Sequence, residues 1–335
     1  MLQLSPRASL LTPDRILAVL AKAAASTILL MLAALLIVLS LAALPSIRTF
    51  GHNFLIGRDW RPNEIQQSLH AQSGQIQIKI LPPSFGALPV IWGTAVTSFL
   101  AILFAVPLSF GAALFLVRAT TRWLAEPISF LIEFLAAIPG IAFGLWGLFI
   151  LCPFLQQYIE PPLNAAFRAI PGLTWLSTTN ALSGHDMLAA GLILAIMIVP
   201  IITAISRDVL AAVPPNQVQA TVALGATWWQ TCQEMLRHAR SALFGAVILG
   251  LARAAGETIA VAMVIGNSNR INLSPLAPAQ TISSLLINEF PTANDLHRSA
   301  LMEIALILLV MSLFFNITAR YLVVGNPHRA SRFSG

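Results

Sequence analysis

Six long apolar stretches constrain this chain more than any other feature of its sequence. A transmembrane helix needs about 20 mostly apolar residues to cross a hydrocarbon core of roughly 30 Å, and each stretch reaches that length. Hydrophobic residues make up 57% of the 335 residues and charged residues only 10%, which is too little polar surface for a soluble globule. The expected spans are residues 20–44, 89–117, 127–152, 187–206, 241–266 and 299–324.

The composition of these stretches indicates helices. A transmembrane β-barrel is built from alternating segments of about ten residues, whereas these stretches are continuous and rich in Ala, Leu and Ile. The first stretch follows Arg7, Arg15 and Lys22 as in a signal peptide, but its apolar core exceeds the roughly 7–15 residues of such a peptide. We therefore predict an all-α polytopic membrane protein with six transmembrane helices and an uncleaved first span.

The basic residues set the expected orientation, because Lys and Arg near the ends of spans are retained in the cytoplasm. This bias predicts that both termini are cytoplasmic. Residues 1–44 then form the N-terminus and first span, 45–88 an extracytoplasmic loop, 89–325 a core with five spans, and 326–335 a cytoplasmic tail. Within the loop, the alternation in GQIQIKI predicts a short strand.

A polar, Arg-flanked segment separates the fourth and fifth spans at about 213–240. Pro214-Pro215 ends the preceding helix, Asn216 is the predicted N-cap, and a short helix is expected from Gln219 to Ala226. Gly225-Ala226-Thr227 then turns the chain toward the fifth span. A short helix held between two spans can act as a lever for a soluble partner; the alternative is a simple amphipathic helix at the membrane surface.

This segment resembles the EAA loop of ABC importer permeases, which has Glu-Ala-Ala, a later Gly, an apolar residue and Leu-Pro. The residues at the corresponding places are Gln219, Ala220, Thr221, Gly225, Ala226 and Met235. Gln219 replaces the usual Glu, and Arg237 and His238 stand where Leu-Pro would be. These departures remove one charged contact to the partner and the proline that shapes the exit of the loop.

Several strings between about residues 85 and 325 resemble the phosphate-specific ABC permeases of the PstC type. They include EFLAAIPG at 133–140, ALGAT at 223–227 and RAAGET at 253–258. The resemblance implies a type I ABC importer permease fold in the bacterial cytoplasmic (inner) membrane and import of inorganic phosphate. The implied partners are a PstA-type paralogous permease subunit, a cytoplasmic ATPase dimer that binds ATP and Mg, and an extracytoplasmic phosphate-binding protein.

Two other functions share many of these features. A permease for another oxyanion or small solute would differ only in the PstC-like strings, and a secondary transporter would show two similar halves, which this sequence does not. The chain is not expected to be an enzyme or to hold a cofactor. A P-loop needs a Gly-Lys pair, and the only lysines are Lys22 and Lys79, so ATP hydrolysis is assigned to a partner.

Three charged residues in the predicted spans are candidates for the substrate pathway. A lone charge at mid-bilayer costs at least a few kcal/mol, about 2.5 or more, unless it is paired or faces water. Arg253 and Glu257 lie four residues apart, so on one helix they would share a face and form an ion pair. Arg253 would then offer a transient contact to an anion, while Glu257 compensates its charge and keeps the anion from binding too tightly. Alternatively, the pair, with Glu133, only holds two helices together. Glu303 is expected to face water.

Overall fold

Residues 13–62, 64–69, 76–81, 83–179 and 181–324 are described by this computed structural model. Within that part of the chain, six helices are long and apolar enough to cross a membrane, which confirms the predicted all-α bundle. They run Leu17–Phe50, Leu88–Ala119, Gly140–Ala169, Met187–Ala211, Trp228–Gly256 and Asp295–Thr318. The predicted tail at 326–335 lies outside the described residues.

Some of the long helices are assembled from shorter ones. The helices are α1 (Pro13–Phe50), α2 (Asn53–Ile56), α3 (Leu88–Leu114), α4 (Arg122–Ala136), α5 (Gly140–Trp146), α6 (Cys152–Phe154), α7 (Glu160–Ala169), α8 (Met187–Ala211), α9 (Pro215–Ala223), α10 (Trp228–Gly256), α11 (Ile259–Val264), α12 (Ile282–Glu289) and α13 (Asp295–Val324). Wide π-type turns extend α3 through Phe115–Ala119 and join α5, α6 and α7 through Gly147–Leu151 and Leu155–Ile159.

The core of the bundle surrounds α8. This helix is the most buried of the six long helices, and it packs against α3, α4 and α10. Ile193, Ile198 and Ile202 are fully buried along it. A helix that is covered on nearly all sides has to be apolar nearly all round, which explains the uninterrupted apolar run from Met187.

Two of the predicted spans have the wrong bounds. The stretch 127–152 is divided by Pro139, whose extended backbone (φ −60°, ψ 139°) precedes α5. Proline also disfavours helical backbone at the residue before it, so α4 ends at Ala136 as a separate amphipathic helix. The stretch 241–266 is divided as well, since α10 ends at Gly256. A count of apolar residues does not detect either break.

The outer side of the bundle, meaning the side that we predict to be extracytoplasmic, carries two short antiparallel ladders. Strands β1 (Trp60–Arg61) and β4 (Ser84–Phe85) pair with each other, and β2 (Glu64–Leu69) pairs with β3 (Ile76–Leu81). The strand predicted in GQIQIKI is thereby confirmed over its isoleucine positions. Both ladders lie in the loop between α1 and α3.

An aromatic and polar cluster fixes this loop to the start of α13. The Trp60 indole N–H donates to Glu289 Oε2 at 2.7 Å, and His297 Nε2 lies 2.8 Å from the same oxygen. The Phe85 ring stacks on the His297 ring with centroids 5.3 Å apart. The outer loop is therefore part of the packed structure at its base.

A serine contact joins α1 to α13. The backbone N–H of Ser46 donates to Ser299 Oγ at 3.0 Å, and this hydroxyl donates to the Ala42 carbonyl at 2.9 Å. Glu303, about one turn further along α13, is only 7% exposed and lies against Ser46. The expectation that Glu303 faces water is therefore wrong, because α1 covers it.

Two glycines of α3 provide a matched test of this packing. A Cβ on Gly93 would overlap the carbonyl oxygen of Gln280, whereas nothing lies within 4 Å of a Cβ on Gly111. We expect Gly93→Ala to lower the thermal midpoint because backbone has to move. Gly111→Ala should be neutral or stabilising by up to about 1 kcal/mol, since Gly is disfavoured in helix interiors. Thermal unfolding in one detergent compares the two, and equal midpoints would contradict the packing of α3 on Gln280.

Candidate functional site

The helix that carries Arg253 ends ten residues before the predicted boundary at 266. α10 stops at Gly256, and Glu257 leaves it with an extended backbone (φ −71°, ψ 130°) before α11 begins at Ile259. Arg253 and Glu257 therefore do not lie on one helical face, and no ion pair within 4.0 Å joins these two described residues. The predicted intrahelical ion pair is wrong because it assumed an unbroken helix.

The Glu257 carboxylate lies instead at the start of α5. A Cβ on Gly140, the first residue of α5, would be 2.5 Å from Glu257 Oε1, so glycine is what leaves room for the carboxylate. The N–H groups of the first helical turn lack partners within the helix, and a negative charge beside them is stabilised by roughly 0.3–1 kcal/mol at exposed sites. The helix breaks at 137–139 and 257–258 therefore meet at this carboxylate.

Arg253 lies on a face of α10 that the rest of the described chain leaves uncovered. Leu249, four residues before it, and Gly256, three residues after it, are exposed as well, and this spacing puts all three on one face. Arg253 makes no hydrogen bond or ion pair with the residues that the structure describes. A guanidinium inside a membrane requires water, an anion or a partner group, so this face needs at least one of them.

Glu133 pairs with Arg207 and not with Arg253. Arg207 Nη2 lies 3.1 Å from Glu133 Oε1 and 2.8 Å from Asp208 Oδ1. The Glu133 side chain is 56% exposed and borders a cleft of about 300 Å³ between α4 and Arg207. An exposed pair of this kind contributes only about 0–1 kcal/mol. The interpretation of Glu133 as a residue of the third span fails because α4 is not part of that span.

The segment between α8 and α10 forms a short helix and a tight turn. α9 runs from Pro215 to Ala223, earlier than the expected helix from Gln219 to Ala226, because proline is well suited to the first helical position. Pro214, rather than Asn216, is the N-cap residue. Gly225 then adopts a left-handed backbone (φ +82°), which costs other residues about 1–2 kcal/mol.

Thr227 starts α10 with a capping box. The backbone N–H of Thr227 donates to Gln230 Oε1 at 2.7 Å, and the Gln230 N–H donates to Thr227 Oγ1 at 3.3 Å. Capping of this type satisfies N–H groups that the first turn otherwise leaves without partners. Gly225 and Thr227 together therefore fix the angle between α9 and α10.

The segment exposes six side chains that we together name the coupling surface. Its members are exposed, and they are Gln219, Ala220, Val222, Leu224, Trp228 and Trp229. Leu224 is 89% exposed and the two tryptophans are more than half exposed. Clustered exposed apolar side chains mark interaction sites. Gln219 and Ala220 were predicted from the sequence; the four apolar members were not, although the consecutive tryptophans at 228 and 229 were a visible signal.

Met235 and Thr221 support the coupling surface from behind. Met235 is 4% exposed and packs in a cluster with Leu210, Val213 and Cys232. The half-buried Thr221 donates its hydroxyl to the Gln217 carbonyl at 2.9 Å. Met235 and Thr221 therefore hold the segment in place from inside. The exposed residues are the ones that can contact a partner.

One continuous helix connects the coupling surface to Arg253. α10 runs unbroken from Trp228 to Gly256, and at 1.5 Å per residue the distance from Trp228 to Arg253 is roughly 38 Å. Among the described residues, no group of three or more His, Cys, Asp or Glu side chains could hold a metal ion. At one end of α10 the Arg253 guanidinium can attract an anion. At the other end the exposed coupling surface can bind a partner whose movement would displace the helix.

Comparison with known proteins identifies the relatives of this chain. Residues 105–324 match the family described as "Binding-protein-dependent transport system inner membrane component". A protein from Haemophilus influenzae named "Phosphate transport system permease protein PstC" is 39% identical over 297 residues, which is 88% of each chain. A protein of the same name from Xylella fastidiosa strain 9a5c is 42% identical over 252 residues, covering 75% of this chain and 76% of the relative.

Two more distant matches differ in kind. A "Probable phosphate transport system permease protein PstC" from Methanocaldococcus jannaschii is 34% identical over 281 residues, covering 83% of this chain and 84% of the relative. An inward-facing structure of the MetNI methionine ABC transporter aligns with a TM-score of 0.46 and 18% identity over 71% of this chain and 94% of that chain. The family match over most of the chain and the extent of identity to the relatives lead to one conclusion: the chain belongs to the binding-protein-dependent transport system inner membrane components, within the PstC group of permeases.

Proposed function

We propose that this chain is a permease subunit of an ATP-driven importer that moves inorganic phosphate across the bacterial cytoplasmic (inner) membrane. The observation that carries the proposal is Arg253, an exposed and unpaired guanidinium in a membrane-length helix of a chain whose relatives are named as phosphate transport permeases. A guanidinium matches the geometry of phosphate oxygens and can bind two of them at once. Phosphate would therefore meet a strong contact at Arg253.

The position of Glu257 makes this contact available. Had the two residues paired on one helix, the carboxylate would have occupied the guanidinium; instead it lies over Gly140 at the start of α5. The N-terminus of a helix is itself attractive to anions, so Glu257 also occupies a place where phosphate could be held. In this proposal Glu257 keeps the second anion-attracting position filled, and the ion passes Arg253 without a deep trap beside it.

The proposed transporter contains four kinds of subunit. A PstA-type paralogue of this chain covers the uncovered face of α10, so that Arg253 lies in a water-filled path between two permeases. A cytoplasmic ATPase dimer, which binds ATP and Mg, grips the coupling surface on each permease. An extracytoplasmic binding protein delivers phosphate at the outer side. The exposed apolar side chains of Leu224, Trp228 and Trp229 support the proposed contact between the coupling surface and the ATPase.

Replacing Arg253 tests the proposed path. We expect Arg253→Gln in the assembled transporter to lower phosphate uptake by at least about tenfold, because a charged hydrogen bond to an anion contributes roughly 1.5–3 kcal/mol. The measurement is initial uptake into proteoliposomes at equal amounts of assembled complex. Arg270→Gln is the matched control, since Arg270 is also exposed but lies in the segment after α11, and it should transport normally.

Two results of that experiment would contradict the proposal. Normal uptake by Arg253→Gln would return Arg253 to a structural role. Uptake of another oxyanion, such as sulfate, by the wild-type transporter without uptake of phosphate would replace the substrate while leaving the permease assignment intact.

The coupling surface makes a second prediction. Leu224→Ser should weaken ATPase binding by roughly 10- to 100-fold, since burial of a leucine contributes about 1.5–3 kcal/mol, and should leave the thermal midpoint of the chain unchanged. Met235→Ala should instead lower the thermal midpoint and change the ATPase affinity little. A cavity at this 4% exposed residue costs about 2–5 kcal/mol of stability. Affinity measurements with the purified ATPase and thermal unfolding distinguish them. A destabilised Leu224→Ser chain with normal ATPase affinity would refute the assignment.

A further inference from the structure

Two carboxyl groups are buried against each other on the outer side of the bundle. Glu160 is the first residue of α7 and is 0% exposed, and Asp186 is the N-cap of α8 and is 1% exposed. Glu160 contacts the backbone of Gly184, two residues before Asp186, and the two carboxyl groups act on each other electrostatically. Neither belongs to the anion path or the coupling surface, so the proposed function leaves this pair without a role.

One oxygen of each carboxyl group has a backbone donor and the other does not. Glu160 Oε2 accepts from the Gly184 N–H at 3.3 Å, and Asp186 Oδ1 accepts from the Ala189 N–H at 2.8 Å. Glu160 Oε1 and Asp186 Oδ2 are buried and have no donor. Two carboxylates can only accept hydrogen bonds, and a buried acceptor without a donor is costly. A single proton between them supplies the missing donor to both residues.

The surroundings contain no cation that could replace the proton. Among the described residues, no Lys, Arg or His nitrogen lies within 4.0 Å of either carboxyl group. The other titratable groups that act on the pair are the Cys152 thiol and the His185 imidazole, and His185 Nδ1 contacts the Ser183 carbonyl at 2.9 Å. Like charges this close disfavour ionisation of both groups, as in other carboxyl pairs that share a proton.

The pair lies where the outer end of one long helix meets the start of another. Between them, residues 170–179 and 181–186 fold back over α7. Asn164 holds this segment at Thr178 through two hydrogen bonds of 3.2 and 2.9 Å, and Gln156 donates to the Leu182 carbonyl at 3.1 Å. The last contacts of this segment before α8 are those at Gly184 and Asp186. The carboxyl pair therefore lies at the point where the segment joins α8.

We propose that Glu160 and Asp186 share one proton, and that this shared proton locks the outer end of the 140–169 helix and the segment after it to the start of α8. Loss of the proton would place two negative charges in a dry contact and push these elements apart. The lock therefore responds to the pH of the outer side. It is independent of the anion at Arg253 and of the coupling surface.

The sign of the pH dependence follows from Asp186, which precedes the fourth span. Burial, and then the neighbouring Glu160 carboxyl, raise the pKa of Asp186 to about 8, although the Ala189 N–H opposes the shift. A folded-state pKa above the unfolded value means that the stabilisation is complete below the unfolded value of 3.8 and is lost as the pH rises toward about 8. The thermal midpoint of the wild-type transporter should fall across that window.

Infrared difference spectroscopy of the assembled transporter tests for the shared proton. We expect a protonated carboxyl C=O band that disappears as the pH rises past about 8, and the loss of that band in Glu160→Gln. The amide of the variant donates to Asp186 at every pH, so its thermal midpoint should depend less on pH than that of the wild type. Glu303→Gln is the matched control: it removes a buried carboxyl from α13, and with it any band of Glu303 itself, and should leave in place the band that Glu160→Gln abolishes.

Several outcomes would overturn the proposal. The absence of a protonated carboxyl band at low pH, or a pH-dependent band that is the same in the wild type and in Glu160→Gln, would contradict a shared proton. Loss of the band on addition of Na⁺ or Ca²⁺ at constant pH, with a higher thermal midpoint, would make the pair a cation site instead. If Glu160→Gln does not assemble, Asp186→Asn is measured in its place, and the titration of the wild-type band tests the proposal without any variant.

Discussion

A bilayer offers no hydrogen-bond partners, so each helix break and each charge inside it has to be satisfied by the protein itself. In this chain Glu257 lies where two such helix breaks meet. Its carboxylate, released from α10 by the break at Gly256, lies at the N-terminus of α5 over Gly140. The carboxylate of one broken helix thereby lies beside the first turn of another, and the neighbouring Arg253 keeps its guanidinium free on an uncovered face of the bundle.

The same helix break gives the chain its mechanical form. α10 is unbroken from the coupling surface to Gly256, and the left-handed Gly225 with the Thr227 cap fixes α9 at the end that we predict to be cytoplasmic. Met235 anchors this end in the core, so a partner that moves α9 has to move α10 as well. In the proposed function, α10 transmits the movement caused by ATP hydrolysis to the residues around Arg253.

Part of this organisation could be predicted from the sequence, and the residues show why. Apolar runs of sufficient length predicted six spans because span length is set by membrane thickness. The polar segment at about 213–240 was predicted because Pro214-Pro215 and Gly225 are residues that interrupt helices. Each of these signals is local in the sequence and needs no knowledge of what packs against it.

The remaining features depend on contacts between distant residues. Pro139 was visible, but the apolar run continued across it and hid the division between α4 and α5. Glu257 followed Arg253 at helical spacing, and only its contact with Gly140, 117 positions earlier in the sequence, shows why the chain leaves the helix there. The cover that α1 places over Glu303 and the meeting of Glu160 with Asp186 likewise arise from packing. Pairings of this kind do not follow from one sequence.

The central claim is that Arg253 faces water in a path shared with a second permease. The most direct measurement is the reactivity of Arg253→Cys, in a chain with Cys152 and Cys232 replaced by alanine, toward a water-soluble anionic thiol reagent in the assembled transporter. The account predicts labelling that phosphate slows. Labelling only by a lipid-soluble reagent, or by neither, would contradict it, because position 253 would then face lipid or packed protein.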